Sequence, residues 1–377
     1  MAFNLTLDRT ANITNCHLNG TLNKTCQDHG LRPQMGPSSI SEVIPISILF
    51  CIIEIVGIIG NILVIYVILS DRKMRSSVTN MFILNLGISD LIIMLGGIPE
   101  ISFFMINKGW LFGEVMCKFQ RYVLVVSLYS SVMTLVAVCV ERYIAIVFPI
   151  KAHILCSRTR TKAAIAVIWP LSGVLAIPVL LFNSTKHISQ SVVFCKTMFP
   201  DPQHRLTYSY VEFTLFYALP MVIQVVLYAI VGKRLFAGSE TLHRNVGSSA
   251  NENGKDKASV AIKARKGVVK MLIASVLIYF ISYSPPQGLL LYRTFSKTPF
   301  HATWPWFVFV MTMAYINSAA NPVLYCIFSQ NFRKKFGAIL GCFKHEKEGY
   351  IQAKSLNTAS RYYNSTMKST AVTEASV

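Results

Sequence analysis

The chain has 377 residues, 53% of them hydrophobic and only 14% charged, and its 36 Lys+Arg outnumber 17 Asp+Glu to leave a net charge of +19. Water-soluble domains carry about a quarter charged residues, so an ordinary soluble enzyme is excluded and lipid is indicated as the main solvent. The apolar fraction also excludes disorder over most of the length.

In chain order, apolar runs fall at 43–69, 80–106, 115–140, 163–182, 211–231, 268–292 and 304–328. Each is near or above the roughly 20 residues that cross a hydrocarbon core as a helix, and polar gaps separate them. Seven such runs in series cannot all be packed inside a soluble protein of this size, so the predicted fold is an all-α seven-transmembrane helix bundle. The opening residues, MAFNLTLDRTAN, lack the basic-then-apolar order of a cleaved signal, and the first run is expected to act as the insertion signal.

Glu42 precedes the first run and Arg72, Lys73 and Arg75 follow it. Basic flanks favour the cytoplasm, which predicts an outer N-terminus and, after seven crossings, an inner C-terminus. Sorted on that basis, the inner segments hold 25 Lys+Arg against eight acids, so +17 of the +19 lies inside. The charge is therefore a topology signal with a bias toward anionic inner-leaflet lipid, and it implies no nucleic acid partner. Sequons at Asn4, Asn12, Asn19 and Asn23, and at Asn183 between runs four and five, fall on the predicted outer side and are expected to carry glycans. Another match, at Asn364, falls inside and is expected to stay unused.

Nine cysteines contain no paired Cys-x-x-Cys and no Cys/His cluster, so no zinc site is predicted. Topology places Cys117 and Cys195 on the oxidising side, and Cys16 and Cys26 also lie there as candidates for a local bridge. After the last run, FSQNFRKKFGAILGC sets Phe328, Phe332 and Phe336 at four-residue spacing opposite Arg333, Lys334 and Lys335. That pattern predicts an amphipathic helix lying on the inner leaflet, with Cys342 at its end as a palmitoylation candidate. The expected organisation is an extracellular glycosylated N-terminus over 1–42, the bundle over 43–328, the surface helix over 329–342 and a disordered cytoplasmic tail over 343–377. The stretch 237–266, rich in Gly, Ser, Asn and Lys, is expected to be a loose inner loop.

Almost every run contains a polar or proline residue. The first has Gly60-Asn61 with Val64, the second LNLGISDL with Asp90, and the third ends in Glu141-Arg142-Tyr143. Trp169 and Pro178 mark the fourth, Pro220 and Tyr228 the fifth, Pro285-Pro286 the sixth, and NSAANPVLY the seventh. A central Asp costs roughly 2.5–3.5 kcal/mol on insertion scales, so these groups are expected to face the bundle interior.

In order and spacing these motifs resemble the rhodopsin-like (class A) G-protein-coupled receptors over about residues 57–342. The resemblance implies a receptor that is not an enzyme and an opening of the cytoplasmic face to a heterotrimeric G protein. It gives Arg142 the coupling role with Glu141 as resting partner, places Tyr143 in the same motif, and has Tyr228 and Tyr325, the latter with Asn321 and Pro322, move on activation. It implies a Cys117–Cys195 bridge. Asp90, Ser131, Asn317, Ser318 and Asn321 match the cluster that holds a sodium ion in this class, and oxygen ligands with one carboxylate suit such a hard cation. A hydrogen-bond network without an ion is the alternative. Serines and threonines in the tail, from Ser355 to Ser376, imply receptor kinases and arrestin as partners.

Two departures stand out. Ser284 is aligned with the tryptophan that class members carry in the sixth span, and the double proline is expected to kink that helix sharply. Lys266 stands where some members carry an acid, so Glu141 alone is left to hold Arg142.

No lysine occurs between Trp304 and Phe328, which excludes a retinal Schiff base, and Leu124 stands where amine receptors place an aspartate. What remains resembles the neuropeptide receptors, in Asn317-Ser318 before Asn321-Pro322, in WLFG before Cys117 and in a second outer loop long enough for a hairpin around Cys195, and 148–160, FPIKAHILCSRTR, looks most like the thyrotropin-releasing-hormone, ecdysis-triggering-hormone and FMRFamide receptors. Glu100, Arg121 and Arg293 are the charged ligand-contact candidates, with Gln120, Leu124, Gln287, Tyr292 and Tyr315 around them. Glu100 and Arg293 are expected to pair across the pocket or to engage opposite groups of a peptide. An orphan or small-lipid receptor is the alternative within the class. A transporter is a remote one, disfavoured because no inverted repeat is present.

Overall fold

A computed structural model of the chain describes residues 40–105, 109–187, 193–245, 252–296 and 304–341. The N-terminal sequons at Asn4, Asn12, Asn19 and Asn23, the Cys16/Cys26 pair, Cys342 and the tail lie outside these residues.

Lipid offers no partner for backbone amides and carbonyls, so each crossing segment satisfies its own backbone as a helix. The spans are α1 (Ile40–Ser70), followed by the short inner α2 (Arg72–Ser76), then α3 (Val78–Met105) and α4 (Gly113–Val147). The inner α5 (Pro149–Leu155) leads to the fourth span, α6 (Arg158–Leu175) and α7 (Ile177–Phe182), which break at Ala176 because Pro178 starts a new helix there. A hairpin of β1 (Asn183–His187) and β2 (Val193–Thr197) follows. The fifth span joins α8 (Pro202–Phe213), a π-helical turn (Thr214–Ala218) and α9 (Leu219–Asn245). The sixth is α10 (Glu252–Phe295), the seventh α11 (Trp304–Phe328), and α12 (Gln330–Ile339) closes the described chain.

Among the described residues, six of these helices are long and apolar enough to cross a membrane on composition alone. The seventh span, α11, is 25 residues long and carries Asn317, Ser318, Asn321 and Pro322 within it. One expectation changes. The stretch 237–266 is helical up to Asn245 and again from Glu252, since its Lys, Glu and Ala residues are helix formers. Pro285 and Pro286 lie inside α10.

Burial sorts the two faces of each span. Ile48, Ile52, Ile55, Ile59 and Ile62 of α1 are exposed to what is hydrocarbon in the membrane, while Asn61, Asp90, Ser130, Ser318 and Asn321 are enclosed. Small residues let the helices close. A Cβ on Gly60 would stand 2.8 Å from Pro322 Cβ, and one on Gly57 2.5 Å from Met94 Cε, so α1 abuts α11 and α3 at contact distance.

On the inner side, Asp71 caps α2 by accepting from the amides of Lys73 at 2.8 Å and Met74 at 2.9 Å, and it pairs with Lys335 of α12. The hydrogen bond from Lys335, helped by these amides, pushes the Asp71 carboxyl down to about 2. A depressed pKa contributes stability above the unfolded value near 4 that is lost only as pH falls through about 2, so this contact is intact at any physiological pH. Phe332 and Phe336 turn inward from α12 and its basic residues turn out.

On the outer side, Cys117 at the start of α4 is bonded to Cys195 of β2, with Cα atoms 5.6 Å apart. The hairpin is thereby held over the mouth of the bundle, with Thr185 opposite Cys195 in its register. Gly109 lies alongside, with φ +71 and space for a Cβ only 2.2 Å from the Val193 carbonyl oxygen, which accepts the Trp110 amide at 2.6 Å. Gly109→Ala combines a strained backbone with a clash and is expected to shift the hairpin. Antibody staining of intact cells should show surface receptor cut several-fold, and wild-type levels would refute this account.

Candidate ligand pocket and coupling face

On the outer side, α3 packs against both α4 and α11, and the hairpin lies against α4. Arg121 of α4 and Glu100 of α3 form an ion pair at 2.5 Å, with the two side chains 11% and 20% exposed. Arg121 also reaches the Cys195 carbonyl at 3.5 Å, so the pair is tied to the disulfide-held loop. Glu100 is thus engaged by a cation one helix away, on Oε1. The side chain of Arg293 lies outside the described residues.

Gln120 donates to the Gly96 carbonyl at 2.7 Å while its own Oε1 is enclosed without a partner. Leu124 fills the space beside Gly96, where a Cβ would come within 3.0 Å of it. The Tyr315 hydroxyl occupies the place a Cβ on Gly97 would need, 1.9 Å away, and its ring meets Phe50 edge-on at 6.2 Å. Gln287 is buried and Tyr292 is exposed.

Two acids escaped the sequence reading. Glu54, the only charge inside the first apolar run, has both carboxylate oxygens enclosed without a hydrogen-bond partner and lies within electrostatic reach of Tyr315. A lone carboxylate in such a run was the signal that could have found it. Glu212 of α8 sits against Tyr129 and Tyr208, whose hydroxyls are 3.0 Å apart. Asn183 is corrected as a glycan acceptor. It is buried, its Oδ1 accepts from Thr197 Oγ1 at 2.8 Å, and its Nδ2, the atom a sugar would occupy, is enclosed.

At mid-depth, Asn321 Nδ2 donates to Asp90 Oδ2 at 2.7 Å. Asp90 Oδ1 and Asn61 Oδ1 are enclosed with no close hydrogen-bond partner, Ser318 Oγ is enclosed beside the Asp90 carboxylate, and Ser131 and Asn317 are buried with them. Orphaned oxygens around one carboxylate are a donor set that a hard monovalent cation fits. Asn61 ties this layer together by donating to the carbonyls of Gly57 at 2.9 Å and Ser318 at 3.2 Å.

At the inner end of α4, Arg142 grips Glu141 with both Nε and Nη2 at 2.5 Å, and Thr79 Oγ1 donates to the same carboxylate at 3.3 Å. Tyr143 packs edge-on against Phe148 at 5.8 Å. Tyr228 is buried within electrostatic reach of Arg142, and Tyr325 leans on Phe332 of α12 at 5.3 Å. The sixth span is drawn in as well, since a Cβ on Gly267 would lie 2.6 Å from the Phe328 carbonyl oxygen.

Residues 60–325 match the family model of the 7 transmembrane receptor (rhodopsin family). The chain belongs to that family. Its members are receptors rather than enzymes, and this receptor is a multi-pass membrane protein. It is similar to Neuropeptide receptor 15 of Caenorhabditis elegans, 35% identical over 81% of this chain and 92% of that one. It is also similar to the thyrotropin-releasing hormone receptor of Mus musculus, at 29% over 83% and 82%. The Tachykinin-like peptides receptor 86C of Drosophila melanogaster is 32% identical over 78% of this receptor and 58% of its own length.

Family alignment of the sixth span is also corrected. Ser284 is exposed on the face shared with Leu277 and Ile281, whereas Tyr283 is 3% exposed and within electrostatic reach of Asp90. Two adjacent prolines permit two registers, and burial selects the one in which Pro285 is the family proline. Tyr283, not Ser284, then stands in place of the tryptophan.

The Glu100–Arg121 pair makes a double-mutant cycle decisive. Glu100→Gln and Arg121→Gln should each lower the apparent Tm of solubilised receptor, because each leaves a half-buried charge unpaired, and the double variant should fall no further than the worse single. Additive losses would mean that the two side chains do not interact.

Proposed function

We propose that this receptor sits in the plasma membrane with its N-terminus outside and its C-terminus in the cytoplasm, binds an extracellular neuropeptide and signals through a heterotrimeric G protein. The observation that carries the reading is the Glu100–Arg121 pair, half-buried at the pocket wall and joined to the Cys195 carbonyl. An ion pair at that position offers a carboxylate to a basic group and a guanidinium to a carbonyl or amidated end. A peptide carries both, whereas a simple lipid or amine carries at most one. The relatives, among them a neuropeptide receptor and a thyrotropin-releasing hormone receptor, support the same ligand class.

Signalling in this reading is differential binding. The agonist favours the conformation in which Arg142 has left Glu141 and the inner ends of the spans have parted, which admits the G protein. Asp90, Ser131, Asn317, Ser318 and Asn321 would hold a sodium ion, whose charge would offset Asp90 and favour the closed state. Receptor kinases and arrestin would act on the serine- and threonine-rich tail, and Cys342 would carry palmitate.

A calcium and cyclic-nucleotide screen of amidated neuropeptides on transfected cells tests this directly. One or more peptides should give a saturable response that Arg142→Ala abolishes and that Glu100→Gln weakens about tenfold or more, the loss of one desolvated charge contact. A response to lipids but to no peptide would overturn the ligand class. Normal signalling by Arg142→Ala through the same partners would overturn the coupling role.

A further inference from the structure

Pro220 has no N–H, so the carbonyl four residues earlier, that of Phe216, is deprived of its ordinary helical donor. The fifth span widens into its π turn at the same place, with the Leu219 amide reaching back to the Thr214 carbonyl. A buried carbonyl in that position needs a donor from elsewhere. It receives one from the sixth span, where the Tyr279 hydroxyl donates to Phe216 O at 2.5 Å in a fully enclosed setting.

A second hydrogen bond joins the same two spans in the opposite sense. Ser284 Oγ donates its only proton to the Phe280 carbonyl at 2.6 Å, so in the 2.6 Å contact between Tyr217 and Ser284 the tyrosine is the donor. The rings interlock around these hydroxyls. Tyr217 and Tyr279 both meet Phe280 edge-on, at 5.5 and 5.1 Å, and Tyr279 lies 4.9 Å from Tyr283. On the other side the Phe216 ring stacks face to face on Tyr129 of α4, 3.6 Å away, and Tyr129 shares its hydroxyl contact with Tyr208 beside Glu212. Phe216 is therefore held by its ring to the third span and by its carbonyl to the sixth.

We propose that Tyr279 is a positioning residue of the resting receptor: its hydroxyl latches the sixth span to the carbonyl that Pro220 orphans in the fifth, and the Tyr217–Ser284 contact is the weaker outer half of the latch. A shift of Phe216, driven through Tyr129 from the ligand side, draws the acceptor away from Tyr279 and releases α10 to move. This rests on the reading that the receptor opens its inner face to a G protein, but it does not depend on what the agonist is.

Tyr279→Phe removes the hydroxyl and keeps the ring. The test is made without any added peptide, on full-length receptor at matched surface density. G-protein nucleotide exchange in cell membranes is read alongside amide hydrogen exchange of solubilised receptor over 267–276, at the inner end of the membrane-crossing part of α10. Basal nucleotide exchange should rise about threefold to tenfold, the shift expected from one buried hydrogen bond, and be abolished again by Arg142→Ala. Amide exchange over 267–276 should quicken while that of α1 is unchanged. Tyr217→Phe should give a smaller rise in both, and it decides the matter if Tyr279→Phe does not reach the surface. Unchanged or slower exchange in α10 with unchanged basal signalling overturns the latch, and so does exchange that quickens equally in α1 and α10, the mark of a variant that is merely less stable. Faster exchange in α10 with no nucleotide exchange by any variant keeps the latch and removes the coupling reading instead.

Discussion

Asp90 has no solvent exposure and stands in the middle of a bundle whose outer surface meets hydrocarbon, so other helices must bring it partners. Asn321 does so from the seventh span, and that hydrogen bond fixes the rotation of α11 against α3. Asn61 then bridges α1 to the Ser318 carbonyl. Asn85 of α3 continues the same logic toward the cytoplasm, donating to Thr134 of α4 at 2.7 Å and accepting from Trp169 of α6 at 2.9 Å. Because lipid tails are as apolar as leucine, burial of apolar surface does little to hold helices together inside a membrane. Polar bridges of this kind, and the close approaches allowed by Gly57 and Gly60, are what hold the spans in register.

That constraint explains why so much was legible in the sequence. Lipid forces long apolar runs and expels any polar residue that lacks an inward use, so the seven spans and the column from Asn61 to Asn321 could be read from residue type and order. The Cys117–Cys195 bridge was implied by family resemblance and stands in the structure. What hydropathy does not encode is which way each helix turns and which distant partner it meets. That Glu100 meets Arg121 is decided by the packing of α3 against α4, which no run of residue types spells out. Around Pro285-Pro286 the text of the sequence admits two registers, and a one-residue error turned Tyr283 into Ser284. Asn183 matches a sequon by local spelling, yet its partner Thr197 arrives from across a hairpin that no local pattern announces. Glu54 was overlooked for another reason: a single acid does little to the mean hydropathy of a long run.

Three contacts that do not depend on one another mark the inner face, and in the proposed function they belong to the closed receptor. Arg142 is gripped at both nitrogens by its neighbour Glu141, Tyr325 rests on Phe332, and Gly267 lets α10 touch the Phe328 carbonyl. A bidentate pair between adjacent residues is intrinsic to α4, so it does not itself hold α10 in place. Apart from the Gly267 contact, the retention of the sixth span falls to contacts at mid-depth and outward. In the proposed function, an arginine satisfied within its own helix, combined with a sixth span fastened nearer the ligand, places control of opening on the outer half of the bundle. An agonist acting there would have only to loosen contacts within its reach for the inner ends to part, and Arg142 would then exchange Glu141 for the partner that the parted helices admit.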